Sequence, residues 1–177
     1  LNMVVNKGRT VFIGDTTVHE YPSSEQMAEI ALSAARVVRL FGFDPKVAFL
    51  SHSTFGQPIT SRTKHIKKAV NILKDKKVDF KFDGDMQPDV ALNPEYEELY
   101  PFSKIVGKAN ILIMPGQHSA AISYKLMKTI GDTKVIGPLL VGLGLPIEIA
   151  PLRTSTSELI NLASIAAYSA EKIDYDK

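Results

Sequence analysis

A chain of 177 residues with 45% hydrophobic content has room for one domain with a substantial core, and not for two of ordinary size. A formal net charge of +2 with 8% aromatic residues excludes a basic, aromatic-studded nucleic-acid platform. The absence of cysteine excludes disulfides, thiolate metal sites and a cysteine nucleophile together.

No apolar run reaches the roughly 18 residues that span a bilayer, and the N-terminus lacks a basic region followed by an apolar core. The expectation is a soluble, cytoplasmic protein with neither nucleic-acid nor membrane partners. The chain begins with Leu1 and not methionine, which reads as a piece of something longer.

Thr10 to Gly14 (TVFIG) is a β-branched and aromatic run that reads as a buried strand delivering Asp15, Thr16 and Thr17 at its carboxyl end. Ser23 with Gln26 three residues on makes a capping-box pattern. The helix it starts carries Met27, Ile30, Ala31, Ala34, Val38 and Phe41 on one face and stops at Gly42. Lys46 to Ser51 is a second buried strand. A Ser/His/Thr/Gly-rich loop to Gln57 then leads into a helix with Ile66, Ala69, Val70 and Leu73 inward.

Val78 to Phe82 makes a third strand, followed by an Asp83-Gly84 turn and a short element from about Pro88. Ala109 to Met114 is the fourth strand, and Pro115 to Ser119 leads into a helix ending at Ile130 with Gly131 as its cap. The Gly/Pro-interrupted apolar stretch after Val135 holds one or two short strands, and a last helix runs from about Ser157 to Glu171. Strands alternating with helices predict a three-layer αβα fold around a mainly parallel sheet.

Ligands of such sheets bind at the carboxyl ends of the strands. Four loops fall there, offering Asp15, Thr16 and Thr17; Ser53, Thr54 and Gly56; Asp83, Asp85 and Gln87; and Gln117, His118 and Ser119. Asp83, Asp85 and Asp89 supply the carboxylate oxygens that a hard divalent cation takes. Their spacing matches no calcium loop, so a turn that shapes a ligand pocket is the expectation and no metal site is assigned.

His52 and His118 are candidate general bases without an identifiable orienting partner; the alternative for each is a structural or solvent-exposed side chain. The segments 53–56 and 116–119 precede helices, where backbone N–H groups either hold an anion such as phosphate or are simply capped. Arg62, Lys64, Lys67, Lys68, Lys74, Lys76 and Lys77 offer a basic side to a nucleotide phosphate, or form a solvated face opposite Ile66, Val70 and Leu73.

The strings FIGDTTVHEYP, VAFLSHSTFGQP, FDGDMQPDVALN, ANILIMPGQHSAAISYKL, VIGPLLVGLGLPIEI and SELINLASIAAYSA resemble the phosphate acetyl/butyryltransferase family over nearly the whole chain. DGDMQPDVALN, YPFS and IGPLLVGL are most similar to the transacetylase-like C-terminal region of bacterial NADP-dependent malic enzymes. The resemblance implies a two-subdomain fold of the isocitrate/isopropylmalate dehydrogenase type with acyl-CoA in the cleft between subdomains. It makes residues 1–150 one subdomain and 151–177 a final helix that packs on the other.

In the transacetylases, CoA sulfur attacks acetyl phosphate while an aspartate takes the thiol proton and arginines hold the phosphate. The resemblance puts Arg153 at a phosphate-binding arginine position and Glu158 where the family has its catalytic aspartate, although Ser155 and Glu158 also form a capping box. The family's Ser-Thr-Lys-Gly-Ser loop becomes Ser53-Thr54-Phe55-Gly56-Gln57 here, a departure that weakens a transacetylase activity.

The function implied is a regulatory, acetyl-CoA-sensing domain. Malate, NADP and a divalent metal would bind in a separate N-terminal region, and this chain would hold no cofactor of its own. The alternatives are an active phosphate acetyltransferase fragment and an oligomerisation module. A homodimer is expected to bury Leu159, Ile160, Leu162, Ile165 and Ala166 or nearby surface.

Overall fold

The computed structural model describes residues 1–172. Its elements are β1 (Asn2–Asn6), β2 (Arg9–Gly14), α1 (Ser24–Leu40), β3 (Lys46–Leu50), α2 (Ser61–Asp75), β4 (Lys81–Met86), α3 (Pro88–Leu92), β5 (Ile111–Ile113), α4 (Gln117–Ile130), β6 (Thr133–Ile136) and α5 (Thr156–Lys172). The sheet order is β4-β3-β5-β2-β1-β6. Neighbours from β4 to β2 pair in parallel, while β1 is antiparallel to both β2 and β6, so β1 alone runs against the rest.

Residues alternate between the two faces along each strand. Phe12, Val47, Phe49, Ile111 and Ile113 pack with α1 and α2 on one face, whereas Ile13, Ala48, Leu50 and Leu112 pack with Met86, Val90 and Ile105 on the other. That is the three-layer αβα arrangement. No helix among the described residues is long and apolar enough to cross a membrane.

The capping box read from Ser23 and Gln26 forms as expected: the Gln26 N–H donates to Ser23 Oγ at 3.1 Å and the Ser23 N–H to Gln26 Oε1 at 2.7 Å. Strand β1 escapes the sequence because polar Asn2 and Asn6 bracket a short run. It is made by a hairpin whose central Lys7 (φ 46°) and Gly8 (φ 79°) both adopt left-handed backbone.

The third strand also differs from expectation. There is no turn at Asp83-Gly84; β4 runs straight through it, pairing Asp83 with Ala48 and Gly84 with Phe49 before an irregularity brings Met86 opposite Leu50. A glycine inside a strand marks close backbone approach, and a Cβ at Gly84 would lie 2.7 Å from both Cβ and O of Phe49.

After β6, the chain returns through a Leu139–Glu148 bridge. Glu148 is half-buried, its Oε2 has no partner among the described residues, and burial pushes its carboxyl from 4.5 up to about 7 against a backbone hydrogen bond from Leu140. The folded state therefore binds the extra proton. This group costs nothing below pH 4.5, and its ionisation erodes stability as pH rises from 4.5 through about 7. Glu148→Gln is expected to raise the melting temperature at pH 8 and leave it unchanged at pH 4; a gain of equal size at both values contradicts this.

Helix α5 starts within a residue of expectation and continues to Lys172, the last described residue. Of its five apolar residues expected to need a partner, Leu162 is buried in the core, and Ile165 packs against that core. Leu162 is thus already covered within the chain, because α5 folds back beside β6, while Leu159 and Ile160 remain exposed.

Candidate functional site

The polar residues gather at the carboxyl ends of β2, β3, β4 and β5, with Asp83 and Asp85 inside β4 and Gln87 just beyond it, and they form two hydrogen-bonded pairs of segments. In the first pair, Asp15 is 8% exposed and accepts from the N–H groups of Thr17 (3.0 Å), Val18 (3.1 Å) and His19 (2.8 Å) and from His19 Nδ1 (2.7 Å). Burial raises its pKa, yet these bonds outweigh burial and hold the carboxyl below its ordinary value. Asp15 thus ties its own loop together. Thr16 is buried beside it, and the Thr17 carbonyl accepts from Gln117 Nε2 at 3.3 Å. His118 is exposed, 3.6 Å from Glu20 and stacked on Tyr21, while Ser119 Oγ donates to the Gly116 carbonyl at 2.8 Å.

In the second pair, buried Ser53 donates to Asp85 Oδ2 at 2.6 Å, and the Phe55 N–H donates to the Asp85 carbonyl at 2.6 Å. The Gln87 N–H reaches Thr54 Oγ1 at 3.3 Å, and Gln87 Nε2 donates to the His52 carbonyl at 2.8 Å. Gly56, with φ 80°, completes the turn after Phe55. Asp83 accepts from the Gly84 N–H, and Asp89 from the Tyr96 hydroxyl. Among the described residues, no three acidic or histidine side chains are placed to hold a metal ion.

Arg153 and Glu158 lie elsewhere along the same rim. They line a cleft of about 250 Å³ with Asn2, Lys125, Lys128 and Asn161. Asn2 pairs with Ile13, and Met3 with Ile136, so the cleft opens at the same sheet edge, displaced toward β6. Asn2 is 1% exposed and its Nδ2 has no partner among the described residues. Gly137, at φ 135°, leaves it room, because a Cβ there would overlap Asn2 Oδ1. Lys128 is paired with Glu158 at 3.2 Å, whereas Arg153 and Lys125 have no acidic partner among the described residues. Unspent donors of this kind, one of them buried, suit an anion.

Glu158 is not built as a base. The Ser155 N–H donates to it at 2.8 Å and the Ser155 hydroxyl at 2.9 Å, and the Glu158 N–H returns to Ser155 Oγ at 3.3 Å. The Ser155 N–H, then its hydroxyl, then Lys128 hold the carboxyl down at about 2. A thiol titrates near 8.5, so a carboxylate held below its ordinary range is a poor acceptor for its proton.

The residues that sequence reasoning missed here are Asn2, Lys125 and Lys128. The two lysines carried a signal in their i, i+3 spacing on one helix face; Asn2 carried none, since its importance comes from burial.

The phosphate acetyl/butaryl transferase family matches residues 1–167. The chain belongs to this family. It is 47% identical to the NADP-dependent malic enzyme of Rhizobium meliloti (strain 1021), over 96% of this chain and 22% of that protein. It is 32% identical to the phosphate acetyltransferase of Bacillus subtilis (strain 168), over 94% of this chain and 52% of that one. Among solved structures, it superposes on the EutD phosphotransacetylase of Staphylococcus aureus with a TM-score of 0.89 at 30% identity, covering 96% of this chain and 53% of the other. A phosphotransacetylase from Streptococcus pyogenes gives 0.91 at 30% identity, covering 97% and 53%. The chain therefore spans about a fifth of that malic enzyme and about half of the phosphotransacetylases. Within this family fold, the Arg153 cleft and the two paired loops share one sheet edge.

Proposed function

We propose that this chain is the transacetylase-like part of an NADP-dependent malic enzyme, and that its Arg153 cleft binds an acyl-CoA effector, acetyl-CoA above all, without turning it over. The observation that carries this is a cleft with anion-seeking donors, Arg153, Lys125 and the Asn2 amide, whose one carboxylate is locked as a helix cap. Such a site binds a phosphate-bearing ligand and lacks a strong proton acceptor. The 47% identity to a malic enzyme supports the parentage.

Malate, NADP and a divalent metal bind, on this proposal, in an N-terminal region of the parent. The solved relatives are about twice as long as this chain, which supports a further subdomain packing on residues 151–172. The effector regulates by preferring one conformation of the whole enzyme, and malate must then alter its affinity by the same factor.

The test uses the full-length parent. Acetyl-CoA should bind in calorimetry and change the rate of malate decarboxylation, while acetyl phosphate and CoA are not consumed at ordinary enzyme rates. Turnover of that pair at such rates overturns the regulatory role in favour of an active acetyltransferase.

A specific observation favours association as a second role. Ile122, Leu126 and Ile130 on α4, and Leu159 and Ile160 on α5, are exposed apolar side chains. A homodimer that covers them is the expected assembly, and a monomer in light scattering at high protein concentration contradicts it.

A further inference from the structure

Beyond the β4 edge of the sheet, at the opposite end from β6 and the Arg153 cleft, lies an open cavity of about 590 Å³. Lys67 and Lys74 of α2, Lys81 of β4 and Lys104 border it, and Phe55, Phe80, Phe82 and Phe102 form its apolar walls. None of these four lysines has an acidic ion-pair partner among the described residues. Their neighbours do: Lys68 of α2 is held by Glu25 at 2.7 Å, and Lys76, just after α2, by Glu29 at 2.9 Å. Lys67 and Lys74 are two helical turns apart on one face, so their positive charges are spread over roughly 10 Å.

The two carboxylates of the cavity are engaged locally, Asp85 with Ser53 and Asp83 with the Gly84 N–H. Four lysines against two carboxylates leave a net positive site. The aromatic wall is also held in place. Phe55 sits at φ 51°, a backbone conformation costly for an aromatic residue, where its N–H donates to the Asp85 carbonyl. From there it meets Phe102 edge-on at 4.8 Å and Tyr100 at 5.3 Å, and Phe102 keeps 67% of its surface exposed. Phe55 is also where this sequence departs from the lysine of the family's loop.

An anionic ligand without a ring would leave the phenylalanines unused, and an apolar one would leave the lysines unused. The cavity also lies within the size range of small-molecule sites. We propose that it binds a nucleoside diphosphate, its base against Phe55 and Phe102 and its phosphates between the lysines of α2 and Lys81 and Lys104. This site is independent of the Arg153 cleft and of any effector bound there.

Calorimetry with ADP, pyrophosphate and adenosine on the purified protein tests it. ADP should bind more tightly than either fragment, and its affinity should fall with added salt, as phosphate contacts to exposed lysines require. Lys67→Glu with Lys74→Glu should weaken ADP by at least about tenfold. Phe102→Ala should weaken ADP several-fold and leave pyrophosphate unchanged. Both changes are at exposed side chains, and unchanged melting temperatures separate loss of binding from loss of folding. Arg153→Ala should leave ADP binding intact. The proposal is overturned if ADP does not bind at millimolar concentration, if the lysine pair leaves its affinity within twofold, if pyrophosphate binds as tightly as ADP, or if Arg153→Ala removes ADP binding.

Discussion

Gly84→Ala is expected to destabilise the protein by about 3–5 kcal/mol, because two separate costs coincide at that position. The backbone sits at φ 152°, a region that side-chain-bearing residues rarely adopt. The added Cβ also meets Phe49 Cβ and O at 2.7 Å and Phe49 Cα at 3.2 Å. The contacts are with a buried strand and not the end of a flexible side chain, so relief requires β4 to move away from β3. Domains of this size hold roughly 5–15 kcal/mol, so the loss is a large share of the total.

Gly8→Ala is the control. Gly8 also has positive φ, 79°, but nothing lies within 4 Å of its would-be Cβ, which limits the cost to about 1 kcal/mol. Urea unfolding of the two variants measures the difference, and equal midpoints would show that the Phe49 contact does not matter.

Arg153→Ala should weaken acetyl-CoA binding by the parent enzyme about tenfold or more, the worth of a charged hydrogen bond to phosphate. It should leave the melting temperature unchanged, since Arg153 is exposed and has no acidic partner among the described residues. Glu158→Gln should do the reverse. It removes the charge that Lys128 faces, so the melting temperature falls slightly, while effector binding stays near its original strength. A proton-accepting Glu158 predicts a different pattern, in which Glu158→Gln abolishes transacetylase turnover and leaves stability alone. Calorimetry, thermal unfolding and an acetyl phosphate assay on both variants decide between the two.

What could be read along the chain was local. Ser23 and Gln26, three residues apart, announce the start of α1, and both capping bonds form. Ser155 and Glu158 do the same for α5. Strands β2, β3 and β5 appear where uninterrupted apolar runs predict them, because a strand covered on both faces needs apolar residues at every position. The helix–strand alternation gave the αβα layers, and long motifs in order gave the family.

The failures share a cause. Asp83-Gly84 has the composition of a turn, yet it continues a strand because Phe49 on the neighbouring strand leaves no room for a side chain and Ser53 supplies the partner that buried Asp85 needs. Asn2 looks like an ordinary polar residue near a chain end. It becomes part of a cleft when β1 inserts between β2 and β6 and Gly137 comes to rest against it.

By itself, then, the sequence determined the family, the layered fold and the boundaries of its capped helices, since these depend on residues a few positions apart. The tertiary structure decided that the polar segments pair off by hydrogen bonds, that Arg153 shares a cleft with Asn2 and Lys125, and that lysines without an acidic partner among the described residues face phenylalanines beyond β4. Those groupings join residues up to 151 positions apart in sequence order, from Asn2 to Arg153, and only sheet pairing brings them together.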